Sequence, residues 1–216
     1  MEEWSTYAVA NFIPFTAEVY LRLIERVNAA WWPLHLATTV IGIGALALAV
    51  TGRRLAGPLL ALLWGWAAYG FLQQFYANLN WAGVWFARGF YLQALLLTLL
   101  IFTTHQGSKL PTARLRSGVL LAALGLFWPL ISLIGRGTLR QTEVVGIHAD
   151  PTTIFALGVI LLMQRGWWLW VLLPMPLLWC LISGLSLWVL GQFQAGLLLA
   201  APMTAILGLC WRTPKE

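Results

Sequence analysis

Charged residues are scarce in this sequence: Asp, Glu, Lys and Arg make up only 9% of its 216 residues. A soluble domain carries about 25% charged residues, so the composition argues against a soluble globular fold. Hydrophobic residues account for 60% of the chain, and 14 residues are tryptophan. Indole rings concentrate at the boundary between lipid headgroups and acyl chains. The composition therefore predicts helices surrounded by lipid.

Cysteine, lysine and histidine are also rare, and their distribution argues against several classes of protein. Cys180 and Cys210 lie in separate apolar segments without a CxxC spacing, which argues against a structural disulfide or a cysteine metal site. Lys109 and Lys215 are the only lysines and lie in polar segments, so no apolar helix offers the Schiff-base lysine of a retinal protein. The sequence has no HExxH or Gly-x-Ser-x-Gly motif.

Apolar runs separated by short polar loops predict an all-α polytopic membrane bundle that forms a single domain. A membrane-spanning helix needs about 20 mostly apolar residues, and the chain has room for about seven. A short interfacial amphipathic helix over residues 16–28 is predicted to precede them. The predicted spans cover residues 30–50, 57–76, 82–103, 117–134, 151–163, 167–190 and 193–210.

The positive charge of the chain is assigned to membrane orientation rather than to nucleic acid. The net charge is +6, but the basic residues lie in short loops between apolar runs, where orientation signals are found. With seven spans, eight basic residues fall on one side and five on the other. This distribution predicts an outer N-terminus and an inner C-terminus in a bacterial inner membrane. The inner eight are Arg53, Arg54, Lys109, Arg114, Arg116, Arg165, Arg212 and Lys215.

This orientation places most of the remaining polar residues toward the outer end, where they form the candidate ligand or ion pocket. Some have two interpretations: His35 as a packing or ligand residue, Arg88 as a snorkelling or substrate-contacting residue, and the charged face of the first helix as a wetted surface or a lid. The candidates are Glu18, Arg22, His35, Gln73, Arg88, Gln93, His148, Asp150, Thr152 and Thr153. The metal-ligand candidates are His35, His148 and Asp150.

Residues 146–155 are the densest polar stretch between apolar runs and open a helix. Asp150 is predicted to cap that helix, with Pro151 at its first position. The span that follows, 151–163, has 13 residues and extends about 20 Å, less than the ~30 Å hydrocarbon core of a bilayer. Either it continues beyond residue 163, or its start is sunk into the bundle, which would bury His148 and Asp150.

Four stretches together resemble a group of bacterial integral membrane proteins known as a domain of unknown function. The resemblance covers nearly the whole chain, and the Pro-Thr-Thr-Ile-Phe run is its most specific motif. It implies a multi-span inner-membrane bundle and supplies no activity or catalytic residues. The stretches are residues 15–20, 28–33, 91–95 and 150–155.

Binding or transport of a small solute or ion through an outward-facing pocket is the favoured function. The alternatives are a membrane-embedded metal-dependent hydrolase or transferase and an accessory subunit of a membrane complex. We expect bound lipid, no cofactor and no nucleic acid. Self-association and a membrane-complex partner both stay open.

Overall fold

The computed structural model describes residues 13–99, 102 and 110–210, and these residues are mostly helical. A π-helical segment, Ala67–Gln73, continues α3, and 3-10 turns cover Tyr76–Asn78 and Leu139–Gln141. The α-helices are α1 (Ala17–Trp31), α2 (Leu34–Val50), α3 (Ala56–Trp66), α4 (Gly83–Thr98), α5 (Thr112–Leu126), α6 (Trp128–Arg136), α7 (Ala149–Met163), α8 (Trp167–Leu172), α9 (Pro174–Val189) and α10 (Gln194–Cys210). The predicted all-α class is confirmed, with no strand among these residues.

Helix α7 is the centre of the bundle, and each of its residues is buried. It packs against α2, α3, the π segment, α5, α8, α9 and α10. A helix that is apolar all round is stable only where other helices surround it, and the α7 sequence after Pro151 is almost entirely apolar. Of the two interpretations of this short segment, the structure has the one in which its start is sunk into the bundle.

Small residues let α5 and α7 approach closely. An added Cβ at Gly158 of α7 would clash with the backbone nitrogen of Ala122 and the carbonyl oxygen of Gly118. One at Gly125 would lie 2.7 Å from the backbone nitrogen of Phe155. The two helices therefore pack backbone against backbone, as small residues at such a spacing allow.

Two predicted helical segments differ from the structure at prolines. The helix predicted over residues 16–28 extends to Trp31, and α2 starts only after Pro33, with a bend of 90° between α1 and α2. The segment predicted over residues 117–134 begins earlier, at Thr112, and is two helices bent by 52°. Pro129 causes this break because it has no N–H to continue the hydrogen-bond pattern of α5.

The length and composition of the helices decide which segments could cross a bilayer. Among the described residues, the 23-residue segment Trp167–Val189 is long and apolar enough to cross a bilayer. Up to three segments qualify if each bent helix pair counts as one span. The seven spans and their orientation therefore stay predictions.

Candidate functional site

The segment between α6 and α7 enters the bundle and carries buried polar side chains into it. Residues 142–148 are buried, and Gly146 has a φ of +81°, which favours glycine. A Cβ at Gly146 would lie 2.5 Å from Leu63 Cδ2 and 2.9 Å from Thr38 Cβ. The close contact with α2 and α3 thus requires glycine here and sets the depth at which α7 begins.

Glu143 is fully buried and contacts three side chains from two helices, α1 and α6. Tyr20 of α1 donates its hydroxyl to Glu143 Oε1 at 2.9 Å, and Trp128 of α6 donates its indole N–H to Oε2 at 3.1 Å. Arg136 Nη2 lies 3.2 Å from Oε2, and its side chain is only 2% exposed. A buried ion pair of this kind is retained only when other hydrogen bonds satisfy the carboxylate, as they do here.

Asp150 is also buried, but its hydrogen bonds come from neutral groups only. Trp179 Nε1 and Ser183 Oγ of α9 both donate to Oδ1, at 2.8 and 2.7 Å, whereas Oδ2 has no hydrogen-bond partner among the described residues. Glu143 repels the Asp150 carboxylate and Arg136 attracts it. We refer to Tyr20, Trp128, Arg136, Glu143, Asp150, Trp179 and Ser183 as the buried acidic cluster.

The predicted capping role of Asp150 is wrong. His148 occupies the N-cap position without a side-chain capping bond, and α7 begins at Ala149, so Pro151 is the third helical residue rather than the first. The Asp150 carboxylate binds side chains of α9 instead of the backbone N–H groups of its own first turn. Tertiary hydrogen bonds therefore replace the local cap.

His148 and Thr152 organise the backbone that leads into α7. The Val144 N–H donates to His148 Nδ1 at 3.1 Å, so Nδ1 is an acceptor and the imidazole is neutral, with its proton on Nε2. Thr152 Oγ1 accepts the Gly146 N–H at 2.7 Å and donates to the His148 carbonyl oxygen at 2.6 Å. His148 and Thr152, both predicted site residues, thus fix the conformation of residues 144–148. Thr153, another predicted site residue, has a buried Oγ1 without a partner in the described part of the chain.

His35 joins the network through α1. His35 Nε2 lies 2.8 Å from Asn28 Oδ1, and Asn28 Nδ2 donates to the carbonyl oxygens of Arg140 and Thr142, each at 2.8 Å. These contacts fix α1 and α2 to the segment that carries Glu143. Within residues 13–99 and 110–210, no group of three or more His, Cys, Asp or Glu residues is arranged to hold a metal ion.

Gln93, a predicted pocket residue, has a structural role at the break between two helices. Its Nε2 donates to the Leu172 carbonyl oxygen at 2.9 Å. Pro176, four residues after Leu172, has no N–H to bind that carbonyl group, so Gln93 satisfies an acceptor that the proline leaves free. The amide lies at the break between α8 and α9.

Three other predicted site residues lie on the surface, away from the cluster. Arg88 is exposed and its guanidinium carbon lies 4.5 Å from the centroid of the Trp85 ring. Gln73 is exposed and accepts a hydrogen bond from the Tyr91 hydroxyl at 2.7 Å. Glu18 is an exposed residue of α1. The structure therefore does not bring Arg88 together with His35 and His148.

A second polar feature is a cavity of about 360 Å³ between α1 and the end of the π segment. Its charged residues are Arg22, a predicted site residue, and Arg26. Neither arginine has an ion-pair partner within 4.0 Å in the described part of the chain. We call this cavity the α1 pocket, lined by Val19, Arg22, Leu23, Arg26, Gln74, Phe75, Asn78 and Leu79.

Most of the buried acidic cluster was not among the predicted site residues. The run Val144–Val145–Gly146–Ile147 after Glu143 is apolar, which was the available signal that this glutamate is buried. Trp179 and Ser183 are four residues apart and so share a face of α9. Nothing in the sequence pairs that face with Asp150, because the contact depends on how α7 and α9 pack.

Fold and site together define an all-α bundle built around a fully buried helix, with carboxylates sequestered at the start of that helix. Comparison with curated proteins found no match, and none of the solved structures matches either. Residues 17–216 match the family of unknown function DUF6064, and the chain belongs to that family.

Proposed function

We propose that the protein is an integral protein of the bacterial inner membrane that binds a small anionic solute in the α1 pocket. The observation that carries the proposal is the pair of arginines, Arg22 and Arg26, on one cavity with no carboxylate paired to either in the described part of the chain. If the protein also transports the solute across the membrane, the α1 pocket would be the site from which transport starts.

Exposed apolar side chains support the membrane location. On α2, Leu36, Val40 and Ile43 are more than half exposed and recur at the spacing of one helix face. Leu92 and Leu95 of α4 repeat this pattern, as does Met203 with Ile206 and Leu207 of α10. Soluble monomers rarely expose contiguous apolar patches of more than a few hundred Å², and lipid acyl chains are the covering that suits several such faces at once.

The residues of the α1 pocket suit an anion that has several oxygen atoms. Each guanidinium presents N–H donors in a planar fork that matches a carboxylate or phosphate group. Gln74 and Asn78 add amide side chains at the same cavity. Leu23, Phe75 and Leu79 give it an apolar wall, which weakens the screening of charge by water. A volume of about 360 Å³ accommodates a small organic acid.

The angle between α1 and α2 supports the position of this pocket at a membrane boundary. If α2 crosses the bilayer, the 90° bend lays α1 in the membrane plane. In that position α1 turns Tyr20 and Ile24 into the bundle and leaves Arg22 and Arg26 exposed. This matches an interfacial amphipathic helix, with the α1 pocket accessible from the aqueous side.

The test is ligand-dependent stabilisation of the purified protein in detergent. Acetate, succinate and inorganic phosphate are added as sodium salts at constant ionic strength, with chloride as the reference anion. A ligand that binds only the folded state raises the unfolding midpoint. We expect at least one of the three anions to do so for the wild type, and Arg22→Gln and Arg26→Gln to reduce the shift.

Arg54→Gln is the matched control because Arg54 is exposed in the loop between α2 and α3, outside the pocket. It should leave the anion-dependent shift unchanged. Equal shifts in all variants, or no shift with any of the anions, would overturn the proposed function. If binding is observed, uptake of the same anion into proteoliposomes distinguishes a transporter from a binding protein.

A further inference from the structure

The buried acidic cluster has two carboxylates and one cation. Glu143 is 0% exposed and Asp150 is 2% exposed. Arg136 is paired with Glu143 at 3.2 Å. Since an isolated carboxylate is very costly to bury, the second carboxylate needs either a cation or a proton.

Among the described residues, the titratable groups around Asp150 provide no second cation. Tyr20 of α1, Tyr76 of the 3-10 turn and Cys180 of α9 lie within electrostatic reach of Asp150 and carry no positive charge. The remaining groups near this end of α7 are Arg136 and Glu143, which pair with one another, His148, which is neutral because Nδ1 accepts a backbone N–H, and His35, which is bound to Asn28. Arg114 of α5 lies at the opposite end of α7, against Leu161.

The hydrogen bonds of Asp150 are unevenly divided between its two oxygens. Both neutral donors, Trp179 and Ser183, bind Oδ1, whereas Oδ2 is buried and has no partner in the described part of the chain. A carboxylate in this setting leaves its second oxygen unsolvated, which is unfavourable. A carboxylic acid with its proton on Oδ2 removes the charge and leaves Oδ1 free to accept both hydrogen bonds.

A small cavity lies beside these groups. Its volume is about 10 Å³, roughly the space for one water molecule, and it is lined by Trp179 and Ser183, the partners of Asp150, and by Tyr20, the partner of Glu143. Tyr76 and Ser186 also line it. Asp150 itself does not line the cavity, so a water molecule there would contact the hydrogen-bond partners of the two carboxyl groups.

We propose that Asp150 is a buried proton-binding site, with the proton held on Oδ2. On release, the Oδ2–H bond breaks, the proton passes to a water molecule, and a carboxylate remains with Trp179 and Ser183 on Oδ1. Glu143 keeps its ion pair with Arg136. This site is separate from the α1 pocket, so the proposal stands whether or not the pocket binds an anion.

Infrared spectroscopy of the full-length protein in detergent tests the assignment, because a protonated carboxyl group has a C=O stretch that a carboxylate lacks. We expect this band at neutral pH in the wild type, with a shift on exchange into deuterium oxide. Asp150→Asn should remove the band. This variant keeps a side-chain oxygen to accept from Trp179 and Ser183. Glu18→Gln, which alters an exposed carboxyl group on α1, should retain it.

Two further variants separate the possible results. Asp150→Glu keeps a carboxyl group and should therefore show the C=O band at an altered frequency. If Asp150 served only in packing, no variant would show the band. Loss of the band in Glu143→Gln together with its retention in Asp150→Asn would assign the proton to Glu143 and overturn the proposal. Absence of the band from the wild type at neutral pH would overturn it as well.

Discussion

Trp179 donates its indole N–H to Asp150 Oδ1 at 2.8 Å, which joins the middle of α9 to the first turn of α7. Trp179→Phe keeps most of the aromatic packing and removes this donor. We expect a loss of about 1–3 kcal/mol in unfolding free energy, the usual cost of leaving a buried polar group without its partner. Chemical unfolding in detergent measures it. Trp188→Phe is the control because Trp188 is an exposed residue of the same helix, and an equal loss in both variants would contradict the prediction.

The close approach of α5 and α7 predicts that Gly158→Ala destabilises the protein. The new Cβ would meet backbone atoms of Gly118 and Ala122, which cannot rotate away, so the helices must separate. Overpacking of this kind typically costs about 1–3 kcal/mol. Gly65→Ala, in α3, meets nothing within 4 Å and should be neutral or stabilising, because alanine favours helix. Thermal unfolding of the two variants in parallel checks the difference. Similar midpoints would mean that α5 and α7 are less tightly packed than described.

A third pair of variants tests the role of Arg114. Its Nε donates to the Leu161 carbonyl oxygen at 2.8 Å, and Nη2 donates to that of Gln164, so a buried cation caps the C-terminal end of α7. Hydrogen bonds to charged groups contribute about 1.5–3 kcal/mol each, and the charge also suits the negative end of the helix dipole. Arg114→Gln should therefore lower the unfolding free energy by several kcal/mol.

Arg116→Gln is the control for this test, because Arg116 is an exposed residue two positions further along α5. It should change the unfolding free energy by less than about 0.5 kcal/mol. A larger effect at Arg116 than at Arg114 would contradict the capping role. Both arginines were predicted to be orientation signals in one loop, and only the position of α7 distinguishes them.

The features that depend on local sequence were the ones that could be predicted. Apolar runs located the helical segments, although two of these segments break at prolines, and the 13-residue length of 151–163 was consistent with a start inside the bundle. The partners of Asp150 could not be predicted, because Trp179 and Ser183 are 29 and 33 residues away along the chain. Helix-capping rules instead favoured a local role for Asp150. Arg88, an arginine in an apolar helix, attracted a functional interpretation, yet its guanidinium stacks on Trp85 at the surface.

The ion pair between Glu143 and Arg136 can be tested by comparing the two single variants with the double variant. Glu143→Leu leaves Arg136 buried without its partner, and breaking a buried pair in this way typically costs about 3–5 kcal/mol. Removing both charges in Glu143→Leu/Arg136→Leu should recover a large part of that loss, since no buried charge then remains unpaired. Unfolding free energies of the two single variants and the double variant give the coupling. Additive losses would contradict a direct interaction between the two side chains.

Membrane orientation is the last prediction, and it decides which compartment the α1 pocket faces. Eight of the thirteen Lys and Arg residues fall on the side assigned to the cytoplasm, and basic loops are retained there. Green fluorescent protein fused after Glu216 should therefore fluoresce, and alkaline phosphatase at the same position should be inactive. Alkaline phosphatase fused before Met1, behind an export signal, should be active, because the seven predicted spans would put the two ends on opposite sides. An active C-terminal phosphatase would reverse the orientation and give the α1 pocket access to cytoplasmic anions instead of periplasmic ones.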